Sequence, residues 1–527
     1  MRPDSDKNSI ERLLQSLSAR LKRIGEDHWL APLMRRLRDN ERLRRQVMIA
    51  IPFWFASVVV GLVAVGYAQL FSWAESLSQS TFSHAKWAVF ILMPTCMIGA
   101  WWLVRRFAPA ARGSGIPQVL AALELSKNAD AHAGSRLLSL RIVVIKIASS
   151  LLMALGGAAV GREGPTIQIS AAIFRRINTL LPAWWPKAQN RNMILTGAAA
   201  GLAAAFNTPL GGIVFAVEEL SKQHFSHFRT ALFTAVIIAG LTAQGIAGSY
   251  LYLGYPKIDD YSLSAFWGVL LVAIIAGILG GLASKAMLRL LAWKSKFRRP
   301  FQHLLYLLVC SMILASAIYF VTDQAAGSGK EVMTSTLFTP EKRLDWYVPI
   351  ARVGAPVVSF TAGASGGVFA PALSAGASVG ASVAGWFDLN GPNSNLLILA
   401  GMVAFLTGIT RSPFTSAILV LEMTDRHSLI FHLMAAGMVA NLLAYTIDRK
   451  SFYEHLKVRF LQEVEAIAPA EPAPVIHRPP VNDPAHPQAR PRENSQAFEP
   501  GLPIRPAEPG QPSNPEAPID TPPGPLT

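Results

Sequence analysis

Cysteine and charge are both scarce in this chain. Only two of its 527 residues are cysteines, and charged residues make up 15%, against 51% hydrophobic residues. Cys96 and Cys310 lie in apolar runs, where they are best explained as small buried hydrophobic side chains and give no information on the redox compartment. A mean hydropathy of +0.33 makes the chain too apolar for an ordinary soluble protein of this length.

Metal-binding patterns are lacking as well. His224 and His227 have helical spacing, but they follow an apolar run in a polar turn, where a solvated loop is the better interpretation. We therefore expect no metal site and no other cofactor.

Long apolar runs occupy most of the sequence between residues 47 and 447. The longest reach or approach the roughly 20 residues that cross a bilayer, and they are 47–72, 86–104, 228–253, 263–293 and 302–321. Other runs contain Gly, Pro, Ser or charged residues, namely 139–160, 166–183, 193–221, 348–387 and 395–447. Such runs are typical of short, tilted or interrupted helices that expose backbone to a cavity. The sequence thus predicts an all-α polytopic membrane protein with its membrane domain at residues 47–464.

Basic residues flank this domain at both ends, and they are Arg35, Arg36, Arg38, Arg42, Arg44, Arg45, Arg449, Lys450, Lys457 and Arg459. The positive-inside rule then places both termini in the cytoplasm and requires an even number of crossings. Residues 1–46 form a basic cytoplasmic segment. Nucleic-acid binding by this segment is the weaker alternative, because anionic membrane lipid is enough to explain arginines beside a membrane.

The C-terminal segment, residues 465–527, differs from the rest in composition. It contains about half of the chain's 36 prolines, few aromatic residues and no apolar periodicity. Such a segment cannot bury a core, so we expect a disordered, proline-rich cytoplasmic tail. A docking motif within this tail is less favoured than a solvated tether.

An internal repeat organises the membrane domain. Residues 161–165 align with 367–371 at an offset of 206, which also pairs Lys146 with Arg352. An offset of 204 pairs Gly197, Pro209 and Glu218 with Gly401, Pro413 and Glu422. Two halves, about 47–255 and 260–464, each with a broken helix, are typical of a transporter built from structural repeats. If the repeats are inverted, both broken helices converge near the midplane.

A charged pair, Arg162 and Glu163, lies between two apolar runs in Gly-Arg-Glu-Gly-Pro at 161–165. An ionised carboxylate in hydrocarbon is costly, so it requires a partner, a water-filled cavity or a function. The glycines and the proline break the incoming helix and start another, whose N-terminal N–H groups and positive dipole end favour a negative charge. An anion or the Glu163 side chain itself would bind there.

A third glycine-rich break is Gly-Ser-Gly-Ile-Pro at 113–117. Its hydroxyl, on Ser114, is well placed to donate a hydrogen bond from a helix end to an anion. Together the three breaks supply donors without a full positive charge. A conducting anion site needs such donors, because it must bind the ion strongly enough to admit it and weakly enough to release it.

The three segments GSGIP at 113–117, GREGP at 161–165 and GGVFAP at 366–371 resemble, in order and spacing, the signatures of the CLC family of chloride channels and proton-coupled chloride transporters. The resemblance covers roughly residues 47–463, and the combination of signatures is highly specific. It implies the CLC fold, a homodimer with one pore per subunit, each pore built from two inverted-topology repeats of tilted and broken helices.

The resemblance also implies an anion site. The hydroxyl of Ser114 would bind the central anion beside the backbone N–H groups of Val368 and Phe369. The family's other pore hydroxyl belongs to a tyrosine early in the last helix. Tyr453 is the candidate, and Tyr445, within the preceding span, is the rival.

Glu163 resembles the family's gating glutamate, whose carboxylate occupies the outer anion site and swings out when protonated. A carboxylate and a chloride compete for helix-end N–H groups, here those of Arg162 and Gly164, so protonation frees the site for chloride. An ion pair between Arg162 and Glu163 is the alternative, but adjacent residues do not face each other on a helix.

Glu219 stands where proton-coupled members carry an internal proton-transfer glutamate and where channels commonly lack an acid. Two neighbouring acids near water titrate as a pair, which suits a proton entry point. The alternative is that Glu218 and Glu219 only end a helix at the cytoplasmic surface. For Glu218 the two interpretations are balanced.

Exchange of chloride for protons is therefore the function that the resemblance implies, with a passive gated chloride channel on the same fold as the alternative. Serine at position 114 resembles chloride-preferring members. The tail lacks the nucleotide-sensing cystathionine-synthase-type domains of larger relatives, so the chain resembles bacterial members of the inner (plasma) membrane. An intramembrane enzyme is disfavoured because no nucleophile–base set accompanies Glu163 or Glu219, and a membrane scaffold leaves the signatures unexplained.

Overall fold

The computed structural model describes residues 39–467 except 127–135, 222–228, 249–250, 259–262, 340–341, 343 and 388–391. The N-terminal arginines before residue 39, His224, His227 and the tail from residue 468 lie outside these ranges. The helices are α1 (Glu41–His84), α2 (Val89–Phe107), α3 (Ile116–Leu125), α4 (Leu140–Leu155), α5 (Glu163–Leu180), α6 (Asn190–Phe206), α7 (Pro209–Phe215), α8 (Arg229–Ala247), α9 (Leu263–Lys294), α10 (Pro300–Ser316), α11 (Lys330–Phe338), α12 (Tyr347–Thr361), α13 (Phe369–Trp386), α14 (Pro392–Thr410), α15 (Pro413–Thr424), α16 (Ile430–Ile447) and α17 (Phe452–Ile467).

Helices α1–α8 and α9–α16 follow the same order. In each set a long helix comes first, and α5 and its counterpart α13 both have 18 residues and both start at a predicted glycine-rich break. Helices α7 and α15 each begin at a proline, Pro209 and Pro413, whose fixed φ suits the first helical turn. The helix α17 follows the second set without a counterpart in the first.

Six helical segments of the described chain are long and apolar enough to span a membrane, and they are Glu41–His84, Lys86–Phe107, Thr230–Ala247, Ala265–Lys294, Pro300–Val321 and His427–Ile447. The five uninterrupted apolar runs of the sequence fall in the first five of these segments.

Of the remaining apolar runs, 193–221, 348–387 and 395–447 are interrupted, whereas 139–160 and 166–183 each correspond to a single helix, α4 and α5. The run 193–221 divides at Asn207 and the run 395–447 at Arg411 and Asp425, all three with left-handed backbone (φ 57°, 64° and 50°). Each of these residues lies between consecutive helices. The interruptions bring helix ends, rather than helix sides, into the interior.

Helix α13 is held in the interior by glycine contacts. A Cβ on Gly376 would lie 2.8 Å from the Cα of Met402, and one on Gly380 would lie 2.8 Å from the Cα of Ile398. Helices α13 and α14 therefore touch backbone to backbone, as small residues allow within membranes. This contact fixes the position of the N-terminus of α13, which contributes to the site described next.

Candidate anion and proton site

The three glycine-rich segments meet through main-chain hydrogen bonds. Gly113 forms a parallel β-bridge with Ser365, and Gly161 forms an antiparallel bridge with Gly367. The N–H group of Gly113 also donates to the carbonyl of Ala364 at 2.8 Å. Segments that are separated by about 250 residues in the sequence thus form one frame around the starts of α3, α5 and α13.

The bridge between Gly161 and Gly367 is locally symmetric. Each N–H group donates to the other's carbonyl, at 2.8 and 2.7 Å. These two glycines are also equivalent in the sequence repeat at the offset of 206. Equivalent residues that pair with each other in antiparallel fashion are related by a local two-fold axis through the centre of the pair.

A fourth glycine-rich segment, at residues 327–329, is absent from the sequence predictions. It repeats the Gly-Ser-Gly of residues 113–115 at an offset of 214, and it starts α11 as the earlier segment starts α3. The φ angles of its two glycines, 65° and 83°, lie in the same left-handed region as those of Gly113 and Gly115, 64° and 110°. The offset is larger because the first half has eight more residues between its Gly-Ser-Gly break and its next break than the second half has.

Two fully buried cations hold the loops before these segments. The Nζ of Lys146 donates to the carbonyls of Ala111 (2.9 Å) and Gly113 (3.0 Å). Its repeat partner Arg352 donates through Nη1 to several loop carbonyls, among them that of Gly327 at 3.3 Å. Both side chains have no exposed surface. Each satisfies loop carbonyls that have no helical partner.

The Glu163 carboxylate is buried against the N-terminus of α13. Glu163 begins α5 and is 1% exposed. Its carboxylate accepts hydrogen bonds from its own backbone N–H and from that of Ala370, the second residue of α13. The oxygen Oε2 has no hydrogen-bond partner within the described ranges, and a Cβ on Gly161 would collide with it. Glycine at position 161 therefore makes room for the carboxylate.

These donors differ from the expected ones. The sequence indicated the N–H groups of Arg162 and Gly164 at the start of the carboxylate's own helix. The Gly161 bridge brings the opposing helix α13 so close that the Glu163 side chain reaches the N–H of Ala370 instead. The carboxylate thus lies at the positive end of a helix from the other half of the chain.

Two buried hydroxyls lie next to this position. Ser114 and Tyr453 are 1% and 0% exposed. The Ser114 hydroxyl lies near the Tyr453 hydroxyl, yet neither oxygen forms a well-directed hydrogen bond to any described group. Ser114 also packs on α5, because a Cβ on Gly164 would lie 2.9 Å from the Ser114 carbonyl oxygen. Two buried hydroxyls with free donors indicate a polar occupant that accepts hydrogen bonds.

The first turn of α13 completes this environment. Val368 caps the helix and Phe369 begins it, so their backbone N–H groups have no partner within the helix. The ring of Phe369 stacks on that of Tyr453, with centroids 6.3 Å apart and an interplanar angle of 12°. The rival residue Tyr445 lies on α16 and is 54% exposed, so its side chain is not buried as those of Ser114 and Tyr453 are.

The helix α1 contributes two polar contacts that were not predicted. The Nη1 of Arg162 donates to the carbonyl of Ala68 at 2.7 Å and to Ser72 Oγ at 3.3 Å. Glu75 Oε1 accepts from the backbone N–H of Ser328 at 2.7 Å. The Arg162 side chain thus anchors the start of α5 to α1, while Glu75 caps the fourth glycine-rich segment. Glu75 stands at the end of an apolar run, which is the sequence signal that could have identified it.

Glu219 lies in a π-helical turn, Ala216–Ser221, that continues α7. It is 6% exposed, and its Oε2 accepts a hydrogen bond from Ser412 Oγ at 2.8 Å. Glu219 and Glu163 both act electrostatically on Tyr453. Packed rings connect the two regions, because Phe215, at the end of α7, contacts Phe369 edge to face at 6.3 Å.

Glu218 and Glu422 cap each other's helices. Glu218 accepts from the N–H groups of Phe414 (3.2 Å) and Thr415 (2.6 Å) at the start of α15. Glu422, its repeat partner on α15, accepts from the N–H groups of Leu210 (3.0 Å) and Gly211 (2.6 Å) at the start of α7. Both carboxylates therefore satisfy helix N-termini across the two halves, which gives Glu218 a structural role at this position.

Sequence comparisons place known transporters beside this chain. The family model described as voltage gated chloride channel matches residues 96–445. The chain is 30% identical over 472 residues to the H(+)/Cl(-) exchange transporter ClcA of Salmonella paratyphi A, covering 85% of this chain and 98% of the relative. It is 31% identical over 457 residues to the protein of the same name from Cronobacter sakazakii, covering 83% and 94%.

Solved structures of transporters are also similar to this chain in fold. The fold is similar to that of a slow cyanobacterial Cl-/H+ antiporter, with a TM-score of 0.67, 25% identity and coverage of 79% of this chain and 98% of the other. A CLC-type fluoride/proton antiporter is similar in fold at a TM-score of 0.65, with 20% identity and coverage of 78% and 98%. A eukaryotic CLC transporter reaches the same TM-score at 18% identity, with coverage of 78% and 74%.

Proposed function

Because this chain belongs to the CLC family, whose members move anions across membranes, we propose that it exchanges chloride for protons, with Glu163 as the gating group. The CLC fold and the multi-span helical architecture predicted from the three signatures are confirmed by the solved structures. The family assignment also confirms that the chain is a transporter and not an enzyme.

One observation carries the proposal. The carboxylate of Glu163 is buried at the N-terminus of α13, bound by the N–H of Ala370, beside two unpartnered hydroxyls. Backbone N–H groups at a helix N-terminus bind an anion whether it is a carboxylate or a halide. Glu163 therefore acts as a tethered anion in the place of the transported one. Protonation removes its negative charge, weakens its hold on Ala370 and vacates the site for chloride.

Neutral donors form the rest of the anion site. Ser114 and Tyr453 supply hydroxyls, Val368 and Phe369 supply the first N–H groups of α13, and Arg162 and Gly164 supply those of α5. The buried Lys146 and Arg352 hold the loops around this site: Lys146 donates to loop carbonyls, and Arg352 donates to loop carbonyls and to the hydroxyl of Ser374. Such a site binds chloride moderately, which permits both loading and release.

Chloride is the proposed substrate. Ser114 supports this choice, because the first signature carries the serine of chloride-preferring members. The likeness to a fluoride/proton antiporter, at 20% identity, concerns the fold alone. The two relatives named above are chloride/proton exchange transporters by name.

Glu219 is proposed to transfer protons between the inner solution and Glu163. It is buried, it binds Ser412, and it shares the electrostatic environment of Tyr453 with Glu163. A carboxylate kept in the interior, rather than one that only ends a helix in water, is consistent with a proton relay. A passive gated chloride channel, the alternative, would need Glu163 but no route through Glu219.

The architecture is proposed to follow from the repeats. The two-fold relation at Gly161 and Gly367, together with the reciprocal caps Glu218 and Glu422, supports halves of inverted topology whose broken helices meet near the midplane. We further propose a homodimer with one pore per subunit, in the bacterial inner membrane, with both termini in the cytoplasm.

Reconstitution into liposomes tests the exchange directly. An outward chloride gradient with no proton gradient should drive protons uphill into the vesicles as chloride leaves, because both ions use one site alternately. The matched control is the same gradient of an impermeant anion. Chloride flux with no proton movement would replace the exchanger with the channel, and absence of chloride flux would overturn the proposed function itself.

A further inference from the structure

A cavity of about 380 Å³ lies away from the anion site, between the ends of α2, α9 and α17. Arg105, Arg112, Lys294 and Arg459 line it with a single carboxylate, Glu463, so the formal charge of its lining is +3 with its histidine neutral. The remaining wall is largely apolar. A volume of this size is within the range of small-molecule sites in proteins.

The cations in this cavity are unequally engaged. Arg112 forms an ion pair with Glu463 at 2.5 Å, and the Nζ of Lys294 donates to the carbonyl of Thr361 at 2.8 Å. Within the described residues, neither Arg105 nor Arg459 forms an ion pair or a hydrogen bond, although Arg105 lies over the ring of Trp101 at 5.1 Å. Two guanidinium groups therefore have donors available for an anion.

The cavity lies at the level where spans end. Arg105 is in the last turn of the segment Lys86–Phe107, and Lys294 ends the segment Ala265–Lys294, both long enough to cross a membrane. Trp102 and Trp293, beside these residues, are more than half exposed on the surface of the protein. Exposed tryptophans beside basic residues at the end of a span are typical of the interface between hydrocarbon and lipid headgroups.

We propose that this cavity binds a phosphate group carried by an amphipathic molecule, with Arg105, Arg112 and Arg459 as its ligands. Guanidinium groups bind phosphate through charge-assisted, often bidentate hydrogen bonds. The apolar wall, which includes Leu456 and Phe460, accommodates the attached apolar portion. An anionic phospholipid headgroup and a soluble phosphate ester share this chemistry, and they are distinguished by the test.

The occupant binds segments that also carry the anion site. Arg112 lies two residues before Ser114, Gly363 lies five before Val368, and Leu456 lies three after Tyr453. Arg112 and Glu463 already join the first of these segments to α17. A bound phosphate therefore adds a second link and stabilises the segments against one another. Binding itself does not depend on which ions the protein transports.

Native mass spectrometry of the full-length protein in detergent tests the site. Dioleoyl phosphatidylglycerol should remain bound more strongly than dioleoyl phosphatidylcholine, whose headgroup carries no net charge, and should raise the thermal unfolding temperature. The double variant Arg105→Gln/Arg459→Gln should retain phosphatidylglycerol roughly thirtyfold less, since each of the two basic residues near a membrane surface contributes about 1 kcal/mol. Arg106→Gln is the matched control, because Arg106 adjoins Arg105 but does not line the cavity, and it should bind as the wild type does.

A second comparison identifies whether the phosphate belongs to a lipid or to a soluble ester. Protection of the wild type by glycerol 3-phosphate, with no preference between the two lipids, would assign the cavity to a soluble ester. The proposal would be overturned if the double variant retained phosphatidylglycerol as strongly as the wild type does and neither phosphatidylglycerol nor glycerol 3-phosphate raised the thermal unfolding temperature. If the double variant unfolds, Arg459→Lys provides the test, since it keeps the charge and should retain the lipid more strongly than Arg459→Gln does.

Discussion

At the scale of single residues, the molecule places one carboxylate where its charge can be exchanged for that of a free ion. Glu163 is 1% exposed, and its carboxylate accepts from two backbone N–H groups. A backbone donor cannot distinguish a carboxylate from a halide by shape alone. In the proposed mechanism, protonation of Glu163 therefore decides which anion occupies the site.

Replacing the two proposed proton carriers separates their roles. We expect Glu163→Gln to keep chloride flux and lose proton movement, because the neutral amide no longer competes as an anion and cannot carry a proton. We expect Glu219→Gln also to lose proton movement while chloride flux persists. Paired measurements of chloride and proton flux in liposomes check both. Chloride-coupled proton movement that survives Glu163→Gln would remove Glu163 from the gate, and the same result for Glu219→Gln would return Glu219 to a role as a helix-end acid.

At the scale of helices, reciprocal capping fixes how the two halves join. The N-termini of α7 and α15 each receive a carboxylate from the counterpart helix region, Glu422 and Glu218 respectively. A carboxylate at a helix N-terminus satisfies N–H groups that the helix cannot pair internally and interacts favourably with its dipole. The caps thus act in both directions across the same contact.

This arrangement predicts that mutation of Glu218 lowers stability, whereas mutation of Glu219 affects proton movement. Glu218→Ala should lower stability by about 1 kcal/mol, the usual cost of a lost N-cap, and leave the ratio of proton to chloride flux unchanged. Glu422→Ala should destabilise by a similar amount. Thermal unfolding in detergent measures the stability, and Glu465→Ala, on the exposed end of α17, serves as the control. Loss of proton coupling in Glu218→Ala would show that its carboxylate also carries protons.

Much of the helix arrangement could be predicted from the sequence, and the features that were not predicted were missed for physical reasons. The breaks at 113–117, 161–165 and 366–371 are visible because Gly and Pro mark them, and the uninterrupted spans are visible from hydropathy. The break at 327–329 was missed because eight additional residues in the first half shift its repeat offset to 214. The bond from Ala370 to Glu163 was missed because it depends on how closely two helix ends approach, which local sequence does not encode.

At the scale of the whole molecule, the described chain is two similar sets of helices followed by α17, the helix that carries Tyr453. In the proposed anion site, the final helix contributes the hydroxyl of Tyr453, while the first half contributes that of Ser114. Neither half contains every donor. The complete site therefore requires both halves in one fold, and a truncated chain ending before α17 would lack one of its two hydroxyls.

The proposed topology places both ends of the membrane domain on one side. Single cysteines introduced as Asp39→Cys and Glu465→Cys should react with a membrane-impermeant maleimide only from the cytoplasmic side, whereas Ser83→Cys, at the other end of α1, should react only from outside. The background should be low, because Cys96 and Cys310 are buried. Labelling of the two terminal positions from opposite sides would require an odd number of crossings.

The bridge between Gly161 and Gly367 also limits how the protein can move. The main chain before Glu163 is tied to the opposite half by two hydrogen bonds, and Arg162 is tied to α1. In the proposed mechanism, the carboxylate is then released by rotation about its own side-chain bonds. Transporters that rock one repeat against the other must break such a seam in every cycle. Under the proposed exchange mechanism the seam stays intact, so each cycle displaces a few side-chain atoms instead of half the protein.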